Sequence, residues 1–371
     1  MKNQLNIHSQ IFLLGFILFG LIFSCSTNDE TIRTDSNDLY LEENRDSWHA
    51  MGLGMGGDVL ALTVFEGKLI AGGAFAKVED QKANGLAGWD GSNWEPMGTG
   101  VFNVFQAFTT FEGDLIAGGW FNSEDIAMMT GVARWNGDHW ASVGEGLTAT
   151  GDGAHPIIHS LIVYNGDLIA GGYFTIAENK EPINVARFNG TNWEPMGTGM
   201  NYRVLDLIVY EEELIAGGEF NMADGKAAKR LARWDGTSWH SMGAGMSQAV
   251  NALTVHNGEL KAGGWDNQLG SVASWNGTAW QSVGSGTREY ANSFTTFNGD
   301  LIAAGDYPNS LGAFSNHIAR WDGTNWQPIG NGMSSSVQAI AVYGEDLIAA
   351  GTFEKADGKI VNQIARWGKA Q

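Results

Sequence analysis

A seven-bladed β-propeller is the fold this sequence predicts. Three features predict it: a sevenfold repeat, four short strands per copy, and a last copy that lacks its fourth strand. The stretch Leu69-Ile70-Ala71-Gly72-Gly73 recurs nearly letter for letter at Leu115, Leu168, Leu214, Leu260, Leu301 and Leu347, and four of the six intervals are 46 residues. Self-similarity at a period of ~40 to 50 residues is the signature of propellers and solenoids, in which each unit buries its apolar face only against its neighbours.

The fourth copy shows the elements in order. Val204 to Tyr210 and Leu214 to Phe220 are apolar runs, Leu231-Ala232-Arg233-Trp234 is a third, and Trp239-His240-Ser241-Met242 a fourth. Short runs rich in Val, Ile, Phe and Trp without a 3.6-residue period read as strands. Gly67, Gly113, Gly166, Gly258 and Gly299 mark the turn between first and second strands. Asp90-Gly91, Asn136-Gly137, Asn189-Gly190, Asp235-Gly236, Asn276-Gly277 and Asp322-Gly323 mark the turn between third and fourth, where positive φ angles are expected. The double glycine weakens to Ala304-Gly305 and Ala350-Gly351 in the last two copies, so the second glycine is the one every copy keeps, as close backbone packing would require. Trp89, Trp135, Trp234, Trp275 and Trp321, with Trp94, Trp140, Trp193, Trp239, Trp280 and Trp326, recur regularly and read as core. The final copy ends at Trp367-Gly368, one strand short, while Trp48-His49-Ala50-Met51-Gly52 precedes the first copy and matches Trp94 to Gly98. The N-terminal strand is therefore expected to complete the seventh blade and remove an exposed sheet edge.

An apolar strand ending in Gly-Gly, an Arg-Trp-Asp-Gly strand, and a Trp five residues on resemble the repeats of the kelch and galactose-oxidase-like propellers. The longer wording from Ile318 to Val337 is closer still to the propeller repeats of the fungal cortical polarity marker family and its bacterial relatives. The resemblance covers residues 48 to 368 and implies a fold more than an activity. Copper-radical chemistry of the galactose oxidase kind needs a Cys-linked Tyr, and the single cysteine, Cys25, lies elsewhere. WD40 repeats also carry Trp-Asp, but their Gly-His pair is absent here.

Cys25 follows an apolar run from Ile11 to Ser24 in an N-terminal segment that opens with Lys2. This arrangement resembles a bacterial lipoprotein signal, which implies a signal peptide over residues 1–24 and lipidation of Cys25. A short apolar run of this kind is also short for a membrane span. Residues 25–47, crowded with Asp and Glu, then read as the lipidated Cys and a solvated tether, and residues 48–371 as the propeller. The implied address is a bacterial cell envelope, with contact to the membrane through the lipid alone. A formal net charge of −20 argues against nucleic acid, whose binding rests on Lys and Arg. No cofactor motif is present: Gly-x-Gly runs such as Gly98-Thr99-Gly100 lack the following helix that phosphate binding needs.

Alternating strands place the short hairpins on one face of the ring and the longer loops on the other, where function is usually carried. The candidate loops are Phe75 to Asn84, Phe121 to Thr130, Phe174 to Ile183, Phe220 to Lys229, and Thr148 to Pro156. Aligned first strands put Leu60, Gln106, His159, Leu205, Asn251, Asn292 and Gln338 at one position, either a polar ring near the channel mouth or a strand start facing water. The next position is Ala or Ser except for Asp206, a carboxylate costly to bury without partners. His155 and His159 lie four apart beside Asp152, yet no third metal ligand follows by spacing, so no metal is expected. Trp120, Tyr173 and Trp265 occupy the position after the double glycine, suited to stacking on sugar rings or to packing beneath loops. The expectation is a non-catalytic binding or scaffold module for a glycan or an envelope protein. The alternative is a carbohydrate-active hydrolase or lyase using His159 and Asp206.

Overall fold

The computed structural model describes residues 46–98, 103–121, 131–137, 139–145, 147–149, 155–176, 182–284, 290–306 and 316–370. These residues form seven antiparallel blades of four strands each, and the chain is a seven-bladed β-propeller. Within a blade the strands run in sequence order, as in blade four: Val204–Tyr210, Glu213–Gly218, Leu231–Trp234 and Trp239–Ser241. The seventh blade orders its strands Val337–Tyr343, Asp346–Gly351, Ile364–Gly368 and then Ser47–Ala50. Trp48 stands opposite Trp367 and Ala50 opposite Ala365, so the N-terminal strand closes the last blade as the sequence predicts.

The innermost strands touch in an unbroken circle, including the first blade's Met55–Phe65 against the seventh blade's Val337–Tyr343. Among the described residues the buried side chains form seven clusters, one at each junction between blades. The repeat explains this: Leu214 and Ile215 sit side by side on one strand, Leu214 packing toward blade three and Ile215 toward blade five.

The tryptophans join blades as well as fill them. Third- and fourth-strand aromatics pair in every blade with ring centroids 5.3 to 5.5 Å apart. In six blades the fourth-strand indole then donates to a carbonyl of the preceding blade, at 3.0 Å from Trp239 Nε1 to Met196 O and 3.1 Å from Trp94 Nε1 to Met51 O; in blade two Trp140 Nε1 is buried without a partner among the described residues. Trp48 Nε1 does the same to Ile329 O at 3.1 Å, so the closing strand is stitched to blade six as well as paired in blade seven. The recurring arginines of the third strand pair within their own blade with the acid that opens the second strand, as Arg320 does with Asp300 at 3.0 Å and Arg366 with Asp346 at 3.3 Å. In blade five Ser274 replaces that arginine and Lys261 replaces the usual isoleucine; Lys261 Nζ reaches Glu259 at 2.5 Å, so the cation has moved one strand inward.

One turn expectation needs correction. At the third-to-fourth-strand turns only the glycine takes a positive φ, 107° at Gly91; Asp90 works through its side chain, whose Oδ1 accepts the N–H groups of Ser92 and Asn93 at 2.8 Å each. The same Asx geometry recurs at Asn189, Asp235, Asn276 and Asp322. The first-to-second-strand turns of blades one to six do put two successive residues at positive φ, and blade four does so with Glu211 and Glu212 in place of a glycine; in blade seven Gly344 alone takes one.

Candidate binding face and central channel

The position that aligns Leu60, Gln106, His159, Leu205, Asn251, Asn292 and Gln338 is a β-bulge in every blade. Pairing between first and second strands skips this residue each time, for instance between Ile158 and Ser160 and between Val204 and Asp206. All seven side chains are half-buried on the ring of innermost strands. The bulge also explains the invariant second glycine. A Cβ on Gly172 would lie 2.1 Å from Ile157 O, and one on Gly218 2.2 Å from Arg203 O, carbonyls that the bulge turns inward. The first glycine instead faces side chains of the next blade, so Ala304 and Ala350 can take its place, fully buried.

Within the ring the amides begin to connect. Asn251 Nδ2 donates to Asn292 Oδ1 at 3.0 Å across two blades, and Gln338 Nε2 donates to Ser336 Oγ at 2.9 Å. Gln106 Oε1 and His159 Nε2 are buried with no partner among the described residues. Burial, and then the nearby Arg203 charge, hold the His159 imidazole down to about 4, so it is neutral at pH 7.

Asp206 occupies the position after the bulge and ties three blades together. Its Oδ1 accepts from Ser160 Oγ of blade three at 3.1 Å and from the Leu207 N–H at 2.8 Å, and its Oδ2 accepts from the Leu253 N–H of blade five at 2.7 Å. Ser293 makes a simpler version of the tie, accepting from the Ile340 N–H of blade seven at 3.2 Å. Asp206 is half-buried and walled in by three blades. Burial therefore outweighs the hydrogen bonds and raises the carboxyl to about 6.

The aromatics on the loop face meet across blade junctions. Trp120 of blade two contacts His155, which precedes blade three's first strand, with ring centroids 6.4 Å apart. Tyr173 of blade three meets Tyr202, which precedes blade four, at 5.7 Å, and Trp265 of blade five meets Tyr290 of blade six at 6.2 Å. Tyr202 and Tyr290 are 41% and 40% exposed, so two of these junctions present open ring surface. The Arg203 guanidinium lies over both tyrosines of its junction, 5.5 Å from the Tyr173 centroid and 5.4 Å from that of Tyr202.

Trp120, Tyr173 and Trp265 thus stand at equivalent places, whereas Tyr202, Arg203 and Tyr290 were missed in the sequence. Tyr202 carried a signal, since its aligned position otherwise holds small or polar residues such as Gly57, Gln248 and Ser335; Arg203 and Tyr290 share a position that also holds Asp58, Val104, Ile157 and Ala249, and carried none. His155 is exposed and His159 half-buried; no group of three His, Cys, Asp or Glu side chains fit for a metal occurs among the described residues. Asp152, Cys25, the signal, residues 25–45 of the tether, and large parts of the loops 121–130, 148–156 and 174–183 lie outside the described residues, whereas Ser47, the last residue assigned to the tether, belongs to the closing strand. On the opposite, hairpin face a cleft of about 810 Å³ opens at the closure, lined among others by Trp89, Asn298, Tyr343, Glu345 and Lys369.

The chain matches no family model and no curated protein sequence. Among solved structures it is similar to the computationally designed Ika8 protein (13% identity, TM-score 0.51, 87% of this chain and 99% of that one). It is also similar to the WD40 β-propeller domain of Doa1 (13% identity, TM-score 0.53, 87% and 98%). A third likeness is to the extracellular domain of BT4673 from B. thetaiotaomicron (12% identity, TM-score 0.54), where the match covers 87% of this chain and 40% of that one. At such identities the likeness is one of fold.

Proposed function

We propose that this chain is an exported, lipid-anchored propeller of kelch-like type that binds a glycan on its loop face. The observation that carries the reading is the set of three aromatic junctions, Trp120 with His155, Tyr173 with Tyr202, and Trp265 with Tyr290, beside a ring of half-buried amides. Flat rings stack on the apolar faces of sugars, and amides at the same face satisfy hydroxyl groups in both directions. Gln106, Asn251, Asn292 and Gln338 are placed to supply the second part. The anchor rests on the lipoprotein-like run ending in Cys25. The extracellular setting of the BT4673 domain agrees with an envelope address. Hydrolase or lyase chemistry would ask Asp206 to reach a ligand, but its oxygens accept three bonds that hold blades three, four and five together.

The test is a glycan array and a turnover screen on the full-length protein. Binding without turnover, lost in Trp120→Ala and Trp265→Ala, is the expected result. Turnover abolished by His159→Ala would replace this reading with the catalytic one, and capture of an envelope protein with no glycan bound would replace the ligand.

A further inference from the structure

We infer that the junction of blades three and four is a carboxylate subsite, and that the glycan bound on the loop face is acidic, carrying uronic acid or a sugar of like charge. The inference rests on the glycan-binding reading and names the class of ligand.

Arg203 carries it. Its guanidinium is held over two tyrosine rings, which fix its plane without using its hydrogen-bond donors. Among the described residues the only carboxylate within 4.0 Å of it is Glu219, with Nη1 to Oε2 at 3.5 Å, and both side chains are about one-third exposed. An ion pair that open to water is weak and can be exchanged for an incoming carboxylate. Among the described residues Nε is buried with no acceptor and Nη2 makes neither a hydrogen bond nor an ion pair, so most of the five donors of the fork are unused there. His159 beside it is neutral and adds no second charge.

The surrounding loop is set before any ligand arrives. Asn201 Oδ1 accepts from the N–H groups of Asn221 and Met222 at 3.0 Å each, and its Nδ2 donates to Asn221 Oδ1 at 2.8 Å. Tyr202 and Arg203 follow directly on this pinned residue, which reduces the ordering cost of binding. The exposed surface of Tyr202 gives a pyranose ring a place to lie while its carboxylate meets the planar fork two-pronged. That combination favours an acidic sugar over a peptide carboxylate. The net charge of −20 does not oppose it decisively, because charges beyond about 8 Å are screened at physiological salt whereas a direct guanidinium contact is not.

The experiment measures affinity of the full-length protein for trisaccharides of galacturonic, glucuronic and mannuronic acid and for the carboxyl-reduced form of each. The expected result is at least tenfold tighter binding of one acidic trisaccharide than of its reduced partner. Arg203→Gln should remove that preference, and Arg203→Lys should restore part of it. The comparison of acidic with reduced ligand on the unmodified protein stands even where a variant fails to fold. Equal affinity for acidic and reduced sugars, or an acidic preference untouched by Arg203→Gln, would overturn the carboxylate subsite; neutral sugars bound through Trp265 would then leave the glycan reading in place. Binding of no glycan at all overturns both.

Discussion

Asp206 and His159 make opposite contributions to stability as pH changes, and each hides the other. Asp206 is raised from 3.8 to about 6, so between those values the folded chain holds a proton that the unfolded chain has released. Stability from this group falls as pH rises through that window. His159 is lowered from 6.5 to about 4, so over nearly the same window the unfolded chain holds the extra proton and stability rises with pH. At about 1.4 kcal/mol per pH unit, each contribution comes to about 3 kcal/mol, an upper figure because both residues are only half-buried. In the wild type the two nearly cancel from about pH 4 to pH 6.

Single substitutions expose them. Asp206→Asn is less stable at every pH, because an amide nitrogen must face a backbone N–H of Leu207 or Leu253. Its deficit relative to wild type should nevertheless shrink by up to about 3 kcal/mol as pH rises from 4 to 7. His159→Gln should change in the opposite sense, gaining on the wild type as pH falls. Urea unfolding at half-unit pH steps measures both differences, and titrations common to all three proteins cancel. A wild-type minus Asp206→Asn difference that is flat across pH, or that grows with pH, would refute the claim that burial dominates at Asp206.

Three further outcomes follow from the packing and the anchor. Gly172→Ala should destabilise well beyond Gly171→Ala: the first drives a Cβ to 2.1 Å from the Ile157 carbonyl, whereas the second meets the movable Val204 Cγ1 at 2.7 Å and should cost about 1–3 kcal/mol, as thermal unfolding would register. Trp48→Ala should cost about 3–5 kcal/mol and selectively loosen blade seven, seen as faster hydrogen exchange in Ile364–Gly368; uniform exchange across all blades would contradict the closing role of that strand. Metabolic labelling with a palmitate analogue should mark the wild type and spare Cys25→Ala, and equal labelling of both would remove the lipoprotein reading.

The architecture was legible because the repeat writes its packing rules seven times. Leu-Ile-Ala-Gly-Gly and the paired tryptophans recur wherever a junction must be filled, and Trp48 outside the last copy announced the closing strand. Less legible was anything made by tertiary contact. The bulge leaves no residue signature of its own, since Leu60 and Gln106 serve in it equally well, so the reason for the second glycine surfaced only with the carbonyl that faces it. Asp206 was visible as an oddity, but its partners Ser160 and Leu253 lie 46 and 47 residues away in neighbouring blades. The junction of Tyr173, Tyr202 and Arg203 joins a second strand to the loop before the next blade, and aligning copies one above another separates such residues instead of bringing them together.

The glycan is proposed to bind on the loop face, although the hairpin face holds a cleft of about 810 Å³. The direct measurement is calorimetric titration of one glycan, taken from the array, into wild type, Trp265→Ala on the loop face, and Tyr343→Ala in the hairpin-face cleft. Affinity should be lost in the first variant and kept in the second. Affinity kept in Trp265→Ala and lost in Tyr343→Ala, with both variants folded, would contradict loop-face binding.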